Sequence, residues 1–165
     1  TITCFTTMGN GVSSFTAQNL GGGRIERVKK GFGAGIKMCL LAAIPFFIVF
    51  FIFGENMIQL FMSGDGGGTA LETGKVFLRI VSPFYFVISV KLIGDGVLRG
   101  AGAMRLFMIA TFTDLILRVV LAFILEPVYG LTGIWMSWPI GWSIATVLTC
   151  VFYRQGRWAQ KYIVQ

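Results

Sequence analysis

The sequence predicts an all-α protein, a polytopic transmembrane bundle of about five helices, and three observations carry that prediction. Its 165 residues are 55% hydrophobic and only 13% charged, against roughly 25% charged in a typical soluble chain. Several stretches reach the length needed to cross a bilayer, whose core of about 30 Å takes roughly 20 mostly apolar helical residues. The charges that remain gather between those stretches and alternate in sign along the chain. With a mean hydropathy of +0.77, too little polar side chain is left to cover a water-facing shell, so the bilayer has to supply the missing solvent.

The elements follow in order. Residues 1–20 read as the second part of a helix, because the chain opens without an initiator methionine on a polar and apolar mixture already in progress. A fragment whose beginning is missing is therefore expected, and no charged segment ahead of a short apolar core marks a secretory signal. The second helix, about 33–53, is built on the uncharged run 38–54 (MCLLAAIPFFIVFFIFG). It extends back past Lys37, whose ammonium can snorkel to a surface, and Pro45 predicts a kink that membrane helices tolerate. Helices at about 76–98 and 104–125 carry internal charges but remain apolar enough to span. The fifth, about 130–152, lies within 127–153, which holds no charge at all. Its Trp135, Trp138 and Trp142 suit an interface or a packing face.

The connections separate by sign. Residues 21–31 (GGGRIERVKKG) hold Arg24, Arg27, Lys29 and Lys30 against Glu26; 98–105 hold Arg99 and Arg105; the tail holds Arg154, Arg157 and Lys161. The intervening connections hold Glu55, Asp65 and Glu72 with Lys75, and then Glu126 alone. Five crossings put every basic connection on one side and every acidic one on the other. By the positive-inside rule the basic side and the C-terminus are cytoplasmic, in contact with anionic membrane lipids. The net charge of +7 is thus an orientation signal. A nucleic-acid patch would gather its basic residues on one solvated element, so no nucleic-acid partner is expected.

Several chemistries are excluded. The chain has no histidine, which removes a Ser-His-Asp triad, a histidine base and His-containing zinc patterns. Cys4, Cys39 and Cys150 are far apart and odd in number, and read as small buried hydrophobes. Among the 22 glycines, the pairs Gly31/Gly35, Gly96/Gly100 and Gly130/Gly133 have helical spacing that lets membrane helices approach closely. No GxxxxGK[ST] occurs, and neither Gly9-Asn10-Gly11 nor Gly94-Asp95-Gly96 has the strand-to-helix context of a phosphate loop.

Two stretches go beyond a generic membrane protein: 11–28 (GVSSFTAQNLGGGRIERV), and 77–84 (FLRIVSPF) followed by 96–102 (GVLRGAG). Together with 117–123 (LRVVLAF) they make the chain resemble the multidrug and toxic compound extrusion (MATE) transporters. That family has twelve helices in two six-helix lobes. The resemblance implies that residues 1–165 are a partial C-terminal lobe, from within helix eight through helix twelve, lacking helix seven and the N-terminal lobe. It also implies a multi-pass protein of the bacterial plasma membrane whose partners include that missing N-terminal lobe.

Ionisable groups inside spans cost about 2.5–3.5 kcal/mol on insertion scales and usually face a cavity or a partner, which singles out Lys91, Asp95, Asp114 and Arg118. Lys91, Asp95 and Arg99 fall on one stripe at four-residue spacing, and Asp114 with Arg118 forms a second such pair. One reading is mutual neutralisation; the other is that one acid binds a proton or sodium ion or attracts a cationic substrate. Some branches of the family carry an acid near the middle of the tenth helix, where this chain has Ile88. Asp95 lies two turns further on and does not inherit that role, so the resemblance implies that the coupling acid lies in the missing N-terminal part.

Gln18 and Asn19 end the first helix, where they either cap the turn with Gly21 and Gly23 or bond the facing lobe. Most of the aromatics Phe84, Tyr85, Phe86, Phe46, Phe47, Phe50, Phe51 and Phe53 should face lipid or neighbouring helices, with a few lining a cavity for an aromatic cation. Met8, Met57, Met62, Met104, Met108 and Met136 suit a pocket of varied shape.

The function expected is a secondary antiporter that exports cationic drugs or other xenobiotics by alternating access. A proton or sodium ion would be its coupling ion, with no resident cofactor and no enzyme activity. The alternative is a lipid-linked oligosaccharide or polysaccharide flippase of related fold. Such flippases often line their cavity with many basic residues, and here only Lys91 and Arg118 are available, each beside an acid.

Overall fold

The computed structural model describes residues 1–61 and 67–160; Met62, Asp65 and Lys161 lie outside the described residues. Among the described residues the chain is helical, with no strand. The helices are α1 (Ile2–Gly21), α2 (Ile25–Ile52), α3 (Gly54–Phe61), α4 (Gly67–Val81), α5 (Tyr85–Gly100), α6 (Met104–Tyr129) and α7 (Leu131–Arg154), with a 3₁₀ turn at Ser82–Phe84 between α4 and α5. Four helical segments are long and apolar enough to cross a membrane: Ile25–Ile52, the bent rod Leu71–Gly100, Met104–Tyr129 and Leu131–Arg154. Helix α1 is long enough but is rich in Thr, Ser and Asn, and it is not one of the four.

The boundaries depart from expectation for local reasons. Helix α2 begins at Ile25, eight residues earlier than expected, because a tight glycine turn after α1 lets the basic segment start winding at once. In its described residues the acidic connection is helical. Glu55 lies in α3, Glu72 and Lys75 lie in α4, and Lys75 Nζ bridges Glu55 at 2.8 Å and Glu72 at 3.2 Å. The expected third span is two helices joined at Pro83, whose missing N–H interrupts the helical ladder. Pro45, Pro127 and Pro139 are all absorbed within helices, so α6 runs on to Tyr129.

Helix α5 is the centre of the bundle. Ten of its sixteen residues, among them Tyr85, Ile88, Ile93, Val97 and Leu98, are buried, and it packs against α1, α2 and α7. Helices α6 and α7 form an antiparallel hairpin, and α6 otherwise turns a bare apolar face outward with Phe112, Ile116, Val120 and Phe123 exposed. Such a face is stable only against lipid or further protein.

Backbone proximity explains several glycines. A Cβ on Gly96 would run into the Gly9 carbonyl of α1, and one on Gly100 into the Ser13 carbonyl and Thr16. Gly31 abuts Phe15, Gly35 abuts Val12 and Ile93, and Gly133 abuts the Leu125 carbonyl. The pairs Gly31/Gly35 and Gly96/Gly100 therefore serve helix packing, whereas of Gly130/Gly133 only Gly133 does, Gly130 being a left-handed turn residue with open space around it; Gly9–Gly11 and Gly94–Gly96 lie inside helices.

Two cysteines match the expected burial only loosely. Cys39 is buried and Cys150 half-buried, but Cys4 is exposed, because its neighbour Phe5 holds the inward position on α1 with Gly9. The aromatics divide likewise. Phe5 meets Phe46 and Tyr85, Phe50 meets Tyr85, and Phe47 meets Phe86, whereas Phe51 and Phe53 are exposed.

Candidate functional site

The two sequence stretches that carried the resemblance end helices by the same device. At the end of α1 the Arg24 N–H donates to the Asn19 carbonyl at 2.8 Å and the Gly23 N–H to Leu20 at 3.0 Å. After α5 the Ala103 N–H donates to Leu98 at 2.8 Å and the Gly102 N–H to Arg99 at 3.0 Å. Both are Schellman closures with a left-handed glycine, φ 70° at Gly23 and 69° at Gly102. These glycines set the two short basic turns that keep α1, α2, α5 and α6 adjacent at one end of the bundle.

Within the helices the structure brings four of the six candidate residues into one region between α5, α6 and α7. The Lys91 ammonium donates to Asp95 Oδ2 at 2.6 Å, with side chains only 5% and 3% exposed. The Thr149 hydroxyl of α7 donates to the other Asp95 oxygen at 3.0 Å. Both oxygens of this buried carboxylate are thereby occupied, and the ion pair is tied to a second helix. Gly94 admits the arrangement, since a Cβ there would meet the Thr149 methyl.

The second pair is built differently. Arg118 Nε lies 3.3 Å from Asp114 Oδ1, close enough for charge attraction, yet neither atom has a hydrogen-bond partner. Asp114 is nearly closed off while the Arg118 side chain is 26% exposed. The guanidinium lies 5.3 Å from the centre of the Trp138 ring, in position for a cation–π contact. Gly141 of α7 leaves room for both partners. Both pairs lean on α7, the first through Thr149 and the second against Gly141 and Trp138.

The remaining residues fall elsewhere. Arg99 does not continue the Lys91–Asp95 stripe as an ion pair; its Nη2 donates to Asn10 Oδ1 on α1 at 2.9 Å, and its guanidinium lies over Phe107. Asn19 is buried and its amide donates to the Phe15 carbonyl at 2.7 Å, while Gln18 is exposed with its carbonyl accepting from Gly22. The Asn19 amide thus serves the end of α1, while Gln18 contributes its main chain to the turn and leaves its side chain exposed. Ile88 is packed in the apolar core beside Phe5, Tyr85 and Ile93. Thr149, Asn10 and Trp138 complete these contacts and are not legible as such in the sequence, because Thr149 is 54 positions from Asp95 and Asn10 is 89 from Arg99.

A separate apolar cavity of about 460 Å³ opens between α1, α2 and α5, lined by Met8, Val12, Phe15, Met38 and Ile93 among others. Among the described residues, Met8 is the one expected methionine that lines it; Met104, Met108 and Met136 are exposed on the outer surface.

The MatE family model matches residues 1–124. The chain is 26% identical to the probable multidrug resistance protein YpnP of Bacillus subtilis over 91% of its own length and 33% of that protein. It is 25% identical to the probable multidrug resistance protein NorM of Thermotoga maritima over 93% of its own length and 33% of that protein. In three dimensions it superposes with a TM-score of 0.81 on an inward-facing multidrug resistance MATE family transporter of the MOP superfamily. That likeness covers 90% of this chain and 33% of the other at 21% identity, and it speaks for the fold. The chain thus spans about a third of the length of the curated relatives it matches. With four apolar membrane-length helices and a family model matched over most of its residues, this integral multi-pass membrane chain belongs to the MatE family.

Proposed function

We propose that residues 1–165 form part of the C-terminal lobe of a secondary antiporter that exports cationic drugs or other xenobiotics in exchange for protons or sodium ions. The observation that carries this reading is the presence of two ion pairs, Lys91–Asp95 and Asp114–Arg118, inside the apolar helices. Ionisable groups at such depth are expensive and mark ion or substrate pathways. The names of the relatives, both probable multidrug resistance proteins, support the choice of cargo.

The two pairs take different parts. Lys91, Asp95 and Thr149 are saturated and hold α5 to α7, so that the lobe moves as a unit. Asp114 and Arg118 touch without a hydrogen bond and Arg118 reaches the surface, which makes this the pair that can exchange its partner for a cation. The second lobe covers the bare apolar faces of this one, and the two rock about a central site. The turns carrying Arg24, Arg27, Lys29, Lys30, Arg105 and Arg154 face the cytoplasm. Everted vesicles holding the complete transporter should take up a fluorescent organic cation; uptake no greater than in vesicles without it overturns the reading.

A further inference from the structure

A second cavity lies at the basic end of the bundle, away from the two ion pairs. It encloses about 280 Å³ between the start of α2 and the end of α7, and is lined by Ile25, Lys29, Tyr153, Arg154, Trp158 and neighbouring backbone. Its floor is rigid. The chain turns at Gly156 and folds back, placing Trp158 in a core with Leu20, Val28, Val97 and Leu98 at 3% exposure. The indole N–H donates to the Tyr153 carbonyl at 2.9 Å. Phe32, Tyr153 and Trp158 form a stack, with ring centres 3.9 Å and 5.5 Å apart.

The depth of this cavity follows from helix lengths. Helix α2 has 28 residues and α7 has 24, or about 42 and 36 Å, against a hydrocarbon core of about 30 Å. The first turn of α2 and the last turn of α7 therefore stand in the headgroup layer, as does the Tyr153–Trp158 pair. Two cations line the cavity, Lys29 and Arg154. Glu26 partly offsets them through its 2.6 Å contact with Lys29, leaving one positive charge in excess among the three groups.

We infer that this cavity is a binding site for the phosphodiester headgroup of an anionic phospholipid. Arg154 and Lys29 meet the phosphate, and Ile25 with the aromatic stack supports the glycerol and the first methylenes. Lys29 and Arg154 line the cavity beside the aromatic stack, and basic pockets between helices at this depth suit lipid headgroups. The site would fasten α7 to α2 from outside the bundle. It is independent of what the transporter carries.

The test is native mass spectrometry of the complete transporter released from nanodiscs of phosphatidylcholine doped with phosphatidylglycerol. The expected result is selective retention of phosphatidylglycerol by the wild type. Arg154→Gln lowers that retention by about fivefold, the effect of one interfacial charge. Glu26→Gln, at an exposed position that tolerates change, raises it. Arg105→Gln, on the same face but outside the cavity, leaves it unchanged. Equal retention by wild type and Arg154→Gln, or no gain with Glu26→Gln, overturns the site. Complete displacement by inorganic phosphate reassigns it to a soluble anion and overturns the lipid reading.

Discussion

The Thr149 hydroxyl donates to the Asp95 carboxylate across the α5–α7 interface, at 3.0 Å and in a fully buried setting. With the Lys91 ammonium on the opposite oxygen, the carboxylate has no free side. Removing Lys91 alone should leave an uncompensated buried charge and destabilise the protein by about 3–5 kcal/mol. Lys91→Met should therefore lower the detergent unfolding temperature sharply. The double variant Lys91→Met/Asp95→Asn should recover most of the loss. A double variant no more stable than Lys91→Met would show that the pair is not coupled.

Asp114 and Arg118 make the contrasting case, a charge contact without hydrogen bonds. Asp114→Asn should leave expression and unfolding temperature close to wild type. The same change should slow cation export about tenfold or more, the kinetic equivalent of about 1.4 kcal/mol. Comparing export rate with melting temperature in one preparation separates the two effects. Unchanged export would remove Asp114 from the transport pathway.

The approach of α1 to α5 rests on absent side chains. Gly96→Ala places a methyl against the Gly9 carbonyl and should cost about 1–3 kcal/mol through overpacking. Gly33→Ala faces open space in mid-helix and should be neutral or stabilise by up to about 1 kcal/mol. Thermal unfolding of the two variants should thus move in opposite directions. Equal shifts would contradict the close approach.

Orientation can be read chemically. In a background lacking Cys4, Cys39 and Cys150, Arg105→Cys should react with a membrane-impermeant thiol reagent only after the cells are opened. Glu55→Cys, at the opposite end of the bundle, should react in intact cells. The reverse pattern would invert the topology.

Composition, uncharged run length and the alternation of loop charge suffice for the all-helical membrane fold, because each depends only on local sequence and the bilayer thickness. The turn after Asn19 is legible for the same reason, since a left-handed closure favours glycine at Gly23; the matching closure at Gly102 comes from the structure. What sequence could not supply was tertiary. The i, i+4 spacing paired Lys91 with Asp95 and Asp114 with Arg118, but it also placed Arg99 on the same stripe, and only packing sends Arg99 to Asn10 instead. Thr149 has no sequence signal, because a threonine in an apolar helix more often bonds its own backbone, as Thr146 does to Trp142. The helices α3 and α4 of the acidic connection are short, and the ion pairs of Lys75 with Glu55 and Glu72 that join them are tertiary.

The proposal that this chain is part of one lobe of an ion-coupled drug exporter is tested most directly in proteoliposomes holding the complete transporter under an imposed proton or sodium gradient. Accumulation of an organic cation should follow the gradient and collapse when an ionophore dissipates it. Accumulation that is the same with and without the gradient would contradict antiport.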